Sequence, residues 1–355
     1  MYRIAVVALA LAALVLGPAR AAGPDTIVFA WSGPISIGYA PITFAQDLGY
    51  AKAENVDIST VSLEGSGVAI PQLMNGSVTT AFLTLDPLIV ARQPGKPNFD
   101  FRFAYNVLRN SIWEISVLDG SPIKTVKDLA GKTIGVGALT FGNIAMTKAI
   151  LKQVGIDPSN VNFVAVGVGV PAFEALRTGK IDALNLFDID DEEMRLEGTK
   201  IRLLPLPPEF SGVSSHALPF TNKMMHDRPD LVQKFGRIFA EGTVACNANL
   251  VACVHSYWKH YPEEKPAGSD ADAMKATLPV LQVRLANMLQ WQPGEPHKFG
   301  LFSDKDWHAE ITSLRVGGQI TVDPALDSLY TNQFVDAYNA FDQGAVIRQA
   351  KAYKN

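Results

Sequence analysis

Three short β-branched runs, each followed by a turn and an amphipathic stretch, occur twice along this chain. In the first set, Thr26 to Trp31, Val56 to Val61 and Thr79 to Leu83 read as strands, with helices over Ala40 to Leu48 and Val68 to Met74 between them. Pro41 falls in the first turn of the first helix, where its missing N–H costs nothing, and Asn75-Gly76 closes the second. In the second set, Thr133 to Gly137, Val161 to Val166 and Ile181 to Leu186 are strands. The helix after the first of them carries Ile144, Met146, Ala149, Ile150 and Val154 at helical spacing and stops at Gly155 and Pro158. A second helix opens at Ala172 and stops at Gly179. Alternating strands and helices predict parallel sheets with helical crossovers, and the duplicated pattern predicts two α/β lobes. Each set ends on an aspartate, Asp86 in the first and Asp188 in the second. Phe101 to Val107, Ile112 to Leu118, Ile201 to Pro208 and Ser215 to Phe220 are further extended candidates. From Lys223 onward the pattern is helical, broken at Pro262 to Gly268 and Pro293 to Lys298, and this region is expected to pack back on the first lobe.

The turns after the strands carry the candidate chemistry. Thr140, Phe141, Gly142 and Asn143 lie where the Thr133–Gly137 strand gives way to a helix. The first N–H groups of a helix lack internal partners and carry partial positive charge, so such a turn suits an anion; an ordinary capped turn is the plain alternative. The acidic run Asp190 to Glu193 is expected to be a solvated helix start, since it lacks the alternating ligand spacing of a calcium loop. The stretch Gly167 to Pro171 (GVGVP) is a turn-forming glycine string without the order of a nucleotide fingerprint. Neither a Gly-x-Ser-x-Gly elbow, an H-E-x-x-H nor a Walker-type loop occurs. The six histidines are scattered, and His255 and His260, five apart, do not share a helical face; no metal site and no cofactor is expected.

Composition changes this picture in three ways. The 48% hydrophobic and 19% charged content of 355 residues suits a sizeable core. A formal charge of −4 argues against nucleic acid as a partner. Residues 1–21 read as a signal peptide: Arg3, then an apolar run from Ile4 to Leu16, then Ala19-Arg20-Ala21 as a cleavage signal. The run is shorter than the about 18–20 residues a membrane span needs. No cysteine lies near the cleavage point, which excludes lipid attachment there. An exported, periplasmic protein is expected, with no later segment apolar enough to span a membrane. Cys246 and Cys253 would sit about 10 Å apart on one continuous helix, too far to bridge. Asn247-Ala248-Asn249 lies between them; a helix break there makes a disulfide feasible in an oxidising compartment, and two buried free thiols are the alternative.

Several stretches together resemble the periplasmic solute-binding proteins of ABC importers of the nitrate, sulfonate and taurine type, a group that includes binders of thiamine-pyrimidine precursors. They are the signal peptide, IGYAPITFAQDLGYAKAENVDISTVSLEGSG, NGSVTTAFLTLDP, VKDLAGKTIGVG and RTGKIDAL. The resemblance implies a type II-like periplasmic-binding-protein fold: two α/β lobes, a ligand cleft between them and a helical C-terminal region. Residues 22–115 with 217–355 would form the first lobe and 116–216 the second, with crossings near Ile112 to Leu118 and Ser214 to Phe220. It places the ligand-binding residues in the loops after the strands: Trp31, Ser32, Gly38, Tyr39, Gly65, Ser66, Gly67, Asp86, Thr140, Phe141, Gly142, Asn143, Phe187 and Asp188. Trp31, Tyr39, Phe141 and Phe187 hint at an organic ligand, with sulfonate, carboxylate and nitrogen heterocycle all open. The implied partner is an ABC permease in the inner membrane, and a monomer is expected. Two other functions fit the same fold: an enzyme resembling the pyrimidine-precursor synthases or menaquinone-pathway lyases, and a ligand-sensing subunit of a membrane receptor.

Overall fold

The β-branched runs form two five-stranded sheets. The computed structural model describes residues 23–207, 210, 213–291 and 294–354, so the segment read as a signal peptide lies outside the described residues. The first half of the chain contributes β1 (Asp25–Trp31), β2 (Val56–Ser62), β3 (Thr80–Thr84) and β4 (Phe101–Leu108), with helices α1 (Ala40–Asp47), α2 (Ser66–Met74) and α3 (Asp86–Ala91). The second contributes β5 (Trp113–Leu118), β6 (Thr133–Val136), β7 (Asn162–Ala165), β8 (Ala183–Phe187) and β9 (Ile201–Leu203), with α4 (Asn143–Gln153), α5 (Val170–Arg177) and α6 (Asp188–Leu196). Strand β10 (His216–Thr221) follows, and then the helices α7 (Pro229–Ala248), α8 (Leu250–His260), α9 (Asp270–Met288) and α10 (Asp304–Val316).

The strand orders are β2-β1-β3-β10-β4 and β7-β6-β8-β5-β9. In each sheet the first three strands are parallel, as strands joined by helical crossovers must be. In each, the fourth strand runs antiparallel to both its neighbours and comes from a crossing segment: β10 in the first sheet, β5 in the second. The chain passes between sheets at residues 109–112 and returns at 204–215, so most of Ile112 to Leu118 and Ser214 to Phe220 is strand on the far side of a crossing.

The helical C-terminal region does more than cover the first lobe. Helices α7 and α8 pack on α1, and α9 packs both on α8 and on α6 of the second lobe. This corrects the expectation for the acidic run: Asp188, Asp190 and Asp191 are buried rather than solvated. A helix start attracts carboxylates by its dipole whether or not water reaches it, so their spacing could not reveal the cover. Helix α7 ends at Ala248 and α8 begins at Leu250, with Asn249 at φ −147° and its side chain accepting the Ala252 N–H at 3.2 Å. That break brings the Cys246 and Cys253 Cα atoms to 5.0 Å, and the two are joined in a disulfide. Among the described residues, no helix is long and apolar enough to cross a membrane.

Candidate functional site

The carboxyl ends of the parallel strands of the two sheets border one cavity of about 750 Å³, half open to solvent. Its floor is a run of aromatic rings that crosses from one lobe to the other. Trp31, at the end of β1, stacks on Phe82 at 4.2 Å between centroids, and Phe82 stacks on His216 at 4.5 Å. His216 lies 5.5 Å from Trp113, which packs on Phe187 at 4.7 Å. Burial, and then the charge of Arg284, push His216 well below the usual histidine range, so the ring is neutral. The sides are the loop from Ser32 to Ile37, the turn at Val168 and Gly169 with the start of α6, and the α9 face bearing Thr277, Val280 and Arg284.

Behind the cavity, α9 holds the start of α6. Arg284 Nη2 donates to Asp188 Oδ1 at 2.6 Å, and Asn287 Nδ2 donates to Asp188 Oδ2 at 2.6 Å. Both members of the ion pair are buried, at 2% and 5% side-chain exposure. Gly38 makes room for this arrangement: a Cβ there would lie 2.9 Å from the Trp31 ring and 3.3 Å from Arg284 Nη1.

A second contact closes the other side. Thr140 Oγ1 donates to the Glu64 carbonyl at 2.6 Å. Gly65 has φ +85°, and its bare Cα lies against the Thr140 carbonyl, with Gly67 also facing Thr140. Gly142 lies against the side chain of Thr84, which donates its N–H to Ser66 Oγ at 3.1 Å. Asn143 is buried and donates to the Asn185 carbonyl and side-chain oxygens at 2.9 and 2.8 Å. Phe141 is buried against Phe187 and Trp113.

The structure therefore divides the fourteen candidate positions. Trp31, Ser32 and Phe187 are on the cavity wall. Gly38 and Tyr39 lie behind it, Tyr39 fully buried with its ring 4.2 Å from Trp31. Asp188 faces α9 as half of an ion pair. Gly65, Ser66, Gly67 and Thr140 to Asn143 meet one another across the lobes, because each turn is the other's nearest neighbour. The N-terminus of α4 is thus covered by protein rather than facing the cavity. Asp86 is in a separate closed chamber beside Glu310.

Sequence reasoning missed Arg284, Asn287, His216, Asp190, Glu193 and Gly169. Gly169 could have been found, since the glycine string follows a parallel strand just as the ALTFGN turn does. It has φ +63°, and its N–H donates to Asp190 Oδ1 at 3.1 Å. Arg284 and Asn287 had no signal, being two polar residues in a long helix. One prediction concerns the closing contact. An alanine at Gly142 would drive its Cβ into Thr84, so Gly142→Ala should keep the lobes apart. Small-angle scattering should give the variant a larger radius of gyration than the parent, with unchanged circular dichroism; equal radii would refute the contact.

Two α/β lobes joined by two crossings around a shared cavity define the periplasmic-binding-protein fold. The chain belongs to the NMT1/THI5-like family, whose profile matches residues 36–249. No curated protein sequence matches it. Among solved structures it is similar to the alkanesulfonate-binding protein SsuA of Xanthomonas axonopodis pv. citri bound to MOPS, with a TM-score of 0.63 and 14% identity over 88% of this chain and 100% of that one. It is also similar to the periplasmic aliphatic sulphonate-binding protein SsuA of Escherichia coli, with a TM-score of 0.59 and 16% identity over 85% and 93% of the two chains. The desulfurization enzyme DSZB, in complex with biphenyl-2-sulfinic acid, has a TM-score of 0.54 and 13% identity over 89% and 99%. At these identities the likeness is one of fold.

Proposed function

We propose that this chain is an exported solute-binding protein that captures a small organic ligand between its lobes and delivers it to an ABC-type importer in the inner membrane. The observation that carries this is the cavity itself: about 750 Å³, walled by both lobes, with an aromatic floor and few buried polar groups. A ligand touching both walls favours the closed arrangement by its differential affinity, and a permease can read the closed form. The ligand-binding residues on this proposal are Trp31, Ser32 and Phe187, joined by Ile37, Asp190 and Arg284, while Thr140 to Gly142 and Gly65 to Gly67 act as the closing contact. The fold also carries enzymes, as the DSZB likeness shows. Here the cavity offers less for catalysis: both cysteines are tied up in the disulfide, and His216 is buried, neutral and stacked on Phe82.

The test is a thermal-shift screen of the mature protein against sulfonates, carboxylates, amines and nitrogen heterocycles, followed by small-angle scattering. A ligand at 100 times its Kd adds about 2.7 kcal/mol, which a melt registers. A hit should raise the melting temperature and compact the protein. Turnover of the hit, or stabilisation without compaction, would count against a transport-type binding protein.

A further inference from the structure

The cavity carries a charge pattern that its fold relatives do not dictate. Its wall has five carboxylates against two bases, Lys275 and Arg284. Arg284 is already neutralised by Asp188 at 2.6 Å, and Lys275 is exposed at the rim. On the acidic side, Glu197 pairs with Arg177 at 3.0 Å, outside the cavity. Asp190 and Glu193 have no such partner. Asp190 is 5% exposed; its Oδ1 accepts the Gly169 N–H, and its Oδ2 is buried with no hydrogen bond. Glu193 lies one helical turn further along α6 on the same face and makes no ion pair among the described residues. Ser32 Oγ, on the opposite wall, is also buried without a partner. A buried carboxylate with an unmet oxygen costs free energy unless something supplies the missing charge or donor.

Resting on the solute-binding reading above, we infer that the ligand is a small organic cation: an apolar body against Phe187, Ile37 and Val280, carrying a protonated amine that sits between Asp190 and Glu193. An ammonium supplies three donors and one positive charge, which is what these two side chains lack. A sulfonate at the same place would meet two carboxylates with no uncommitted buried base to offset them. The state of the carboxyls agrees with this. Burial raises Asp190 to about 6, and burial with Asp190, Glu197 and Glu264 nearby raises Glu193 to about 8. Each is therefore held against its own charge until a cation arrives.

The experiment compares three matched probes, 2-phenylethylamine, 2-phenylethanol and 2-phenylethanesulfonate, by calorimetry and thermal shift on the mature protein. The amine should bind at least about tenfold more tightly than either isostere, the scale expected for one favourable charge contact. Asp190→Asn keeps an acceptor for the Gly169 N–H and should lower amine affinity by about tenfold while leaving 2-phenylethanol unchanged. Glu193→Gln, on a half-buried position, is a second variant expected to act the same way. Tighter or equal binding of the sulfonate overturns the cationic assignment but leaves a solute-binding protein. An amine that fails to bind, or that binds both variants as well as the parent, also overturns it. Failure of all three probes, with no small molecule retained in native mass spectrometry, overturns the solute-binding reading as well.

Discussion

Replacing Arg284 by methionine is expected to open the cleft. The Arg284–Asp188 pair joins α9 to the first turn of α6, and both side chains are almost fully buried. Removing one member of a buried pair leaves the other charge uncompensated, at a cost of about 3–5 kcal/mol. Asp188 keeps Asn287 and its own backbone contact at Ile189, but neither carries charge. Because the pair spans two lobes, the protein has an escape that a core ion pair lacks. It can swing α6 away from α9 and return Asp188 to water. The cost should therefore appear as lost closure more than as global unfolding. Small-angle scattering of Arg284→Met should show a larger radius of gyration, and ligand affinity should fall by more than about tenfold. The double variant Asp188→Leu with Arg284→Met should recover much of the closure, since an apolar pair of similar volume replaces the ionic one. An Arg284→Met protein as compact as the parent would mean that the pair does not hold the lobes together.

The second large effect is on pH. Glu310 on α10 and Asp86 at the start of α3 face a closed chamber that also touches Ser111, Ser214 and Ser215 of the two crossings. Glu310 makes no hydrogen bond or ion pair among the described residues, and burial, then Asp86, lift it to about 8. Burial lifts Asp86 to about 7. Asp190, Glu193 and Asp191 shift the same way, Asp191 through burial and its contact with Glu114. The folded protein thus binds more protons than the unfolded chain between the ordinary carboxyl range and about pH 8. Stability must fall as pH rises through that window. The melting temperature of the ligand-free protein should be higher at pH 6 than at pH 8.5. Glu310→Gln should stabilise the protein at pH 8.5 by about 1–3 kcal/mol and flatten the slope, since a neutral amide costs less to bury than a carboxylate. A parent more stable at pH 8.5, or a glutamine variant less stable there, would contradict this.

The fold was legible because its signals are local. Apolar runs, proline at a first turn and glycine at helix ends are read over a few residues, and they marked the parallel strands of both sheets. The two antiparallel strands, β5 and β10, were found as extended segments but could not be assigned to their sheets, because pairing between β10 and β3 joins residues far apart in sequence. The same divide runs through the site. Trp31, Ser32 and Phe187 follow from a rule about strand ends. The burial of Asp190 could not be read, since it depends on α9, which lies about eighty residues later. Nor could the sequence show that the turns at Gly65 and Thr140 meet each other. Both are glycine-flanked and short, which serves a close backbone contact between lobes as well as it serves a ligand.

The most direct test is a crystal structure of the mature protein purified with a retained or added ligand. Density for the ligand is expected in the cavity between the Ser32 to Ile37 loop and the Gly169 to Glu193 wall, against Phe187, with Thr140 still bonded to the Glu64 carbonyl. Density at the N-terminus of α4, between Ser66 and Thr140, would contradict it.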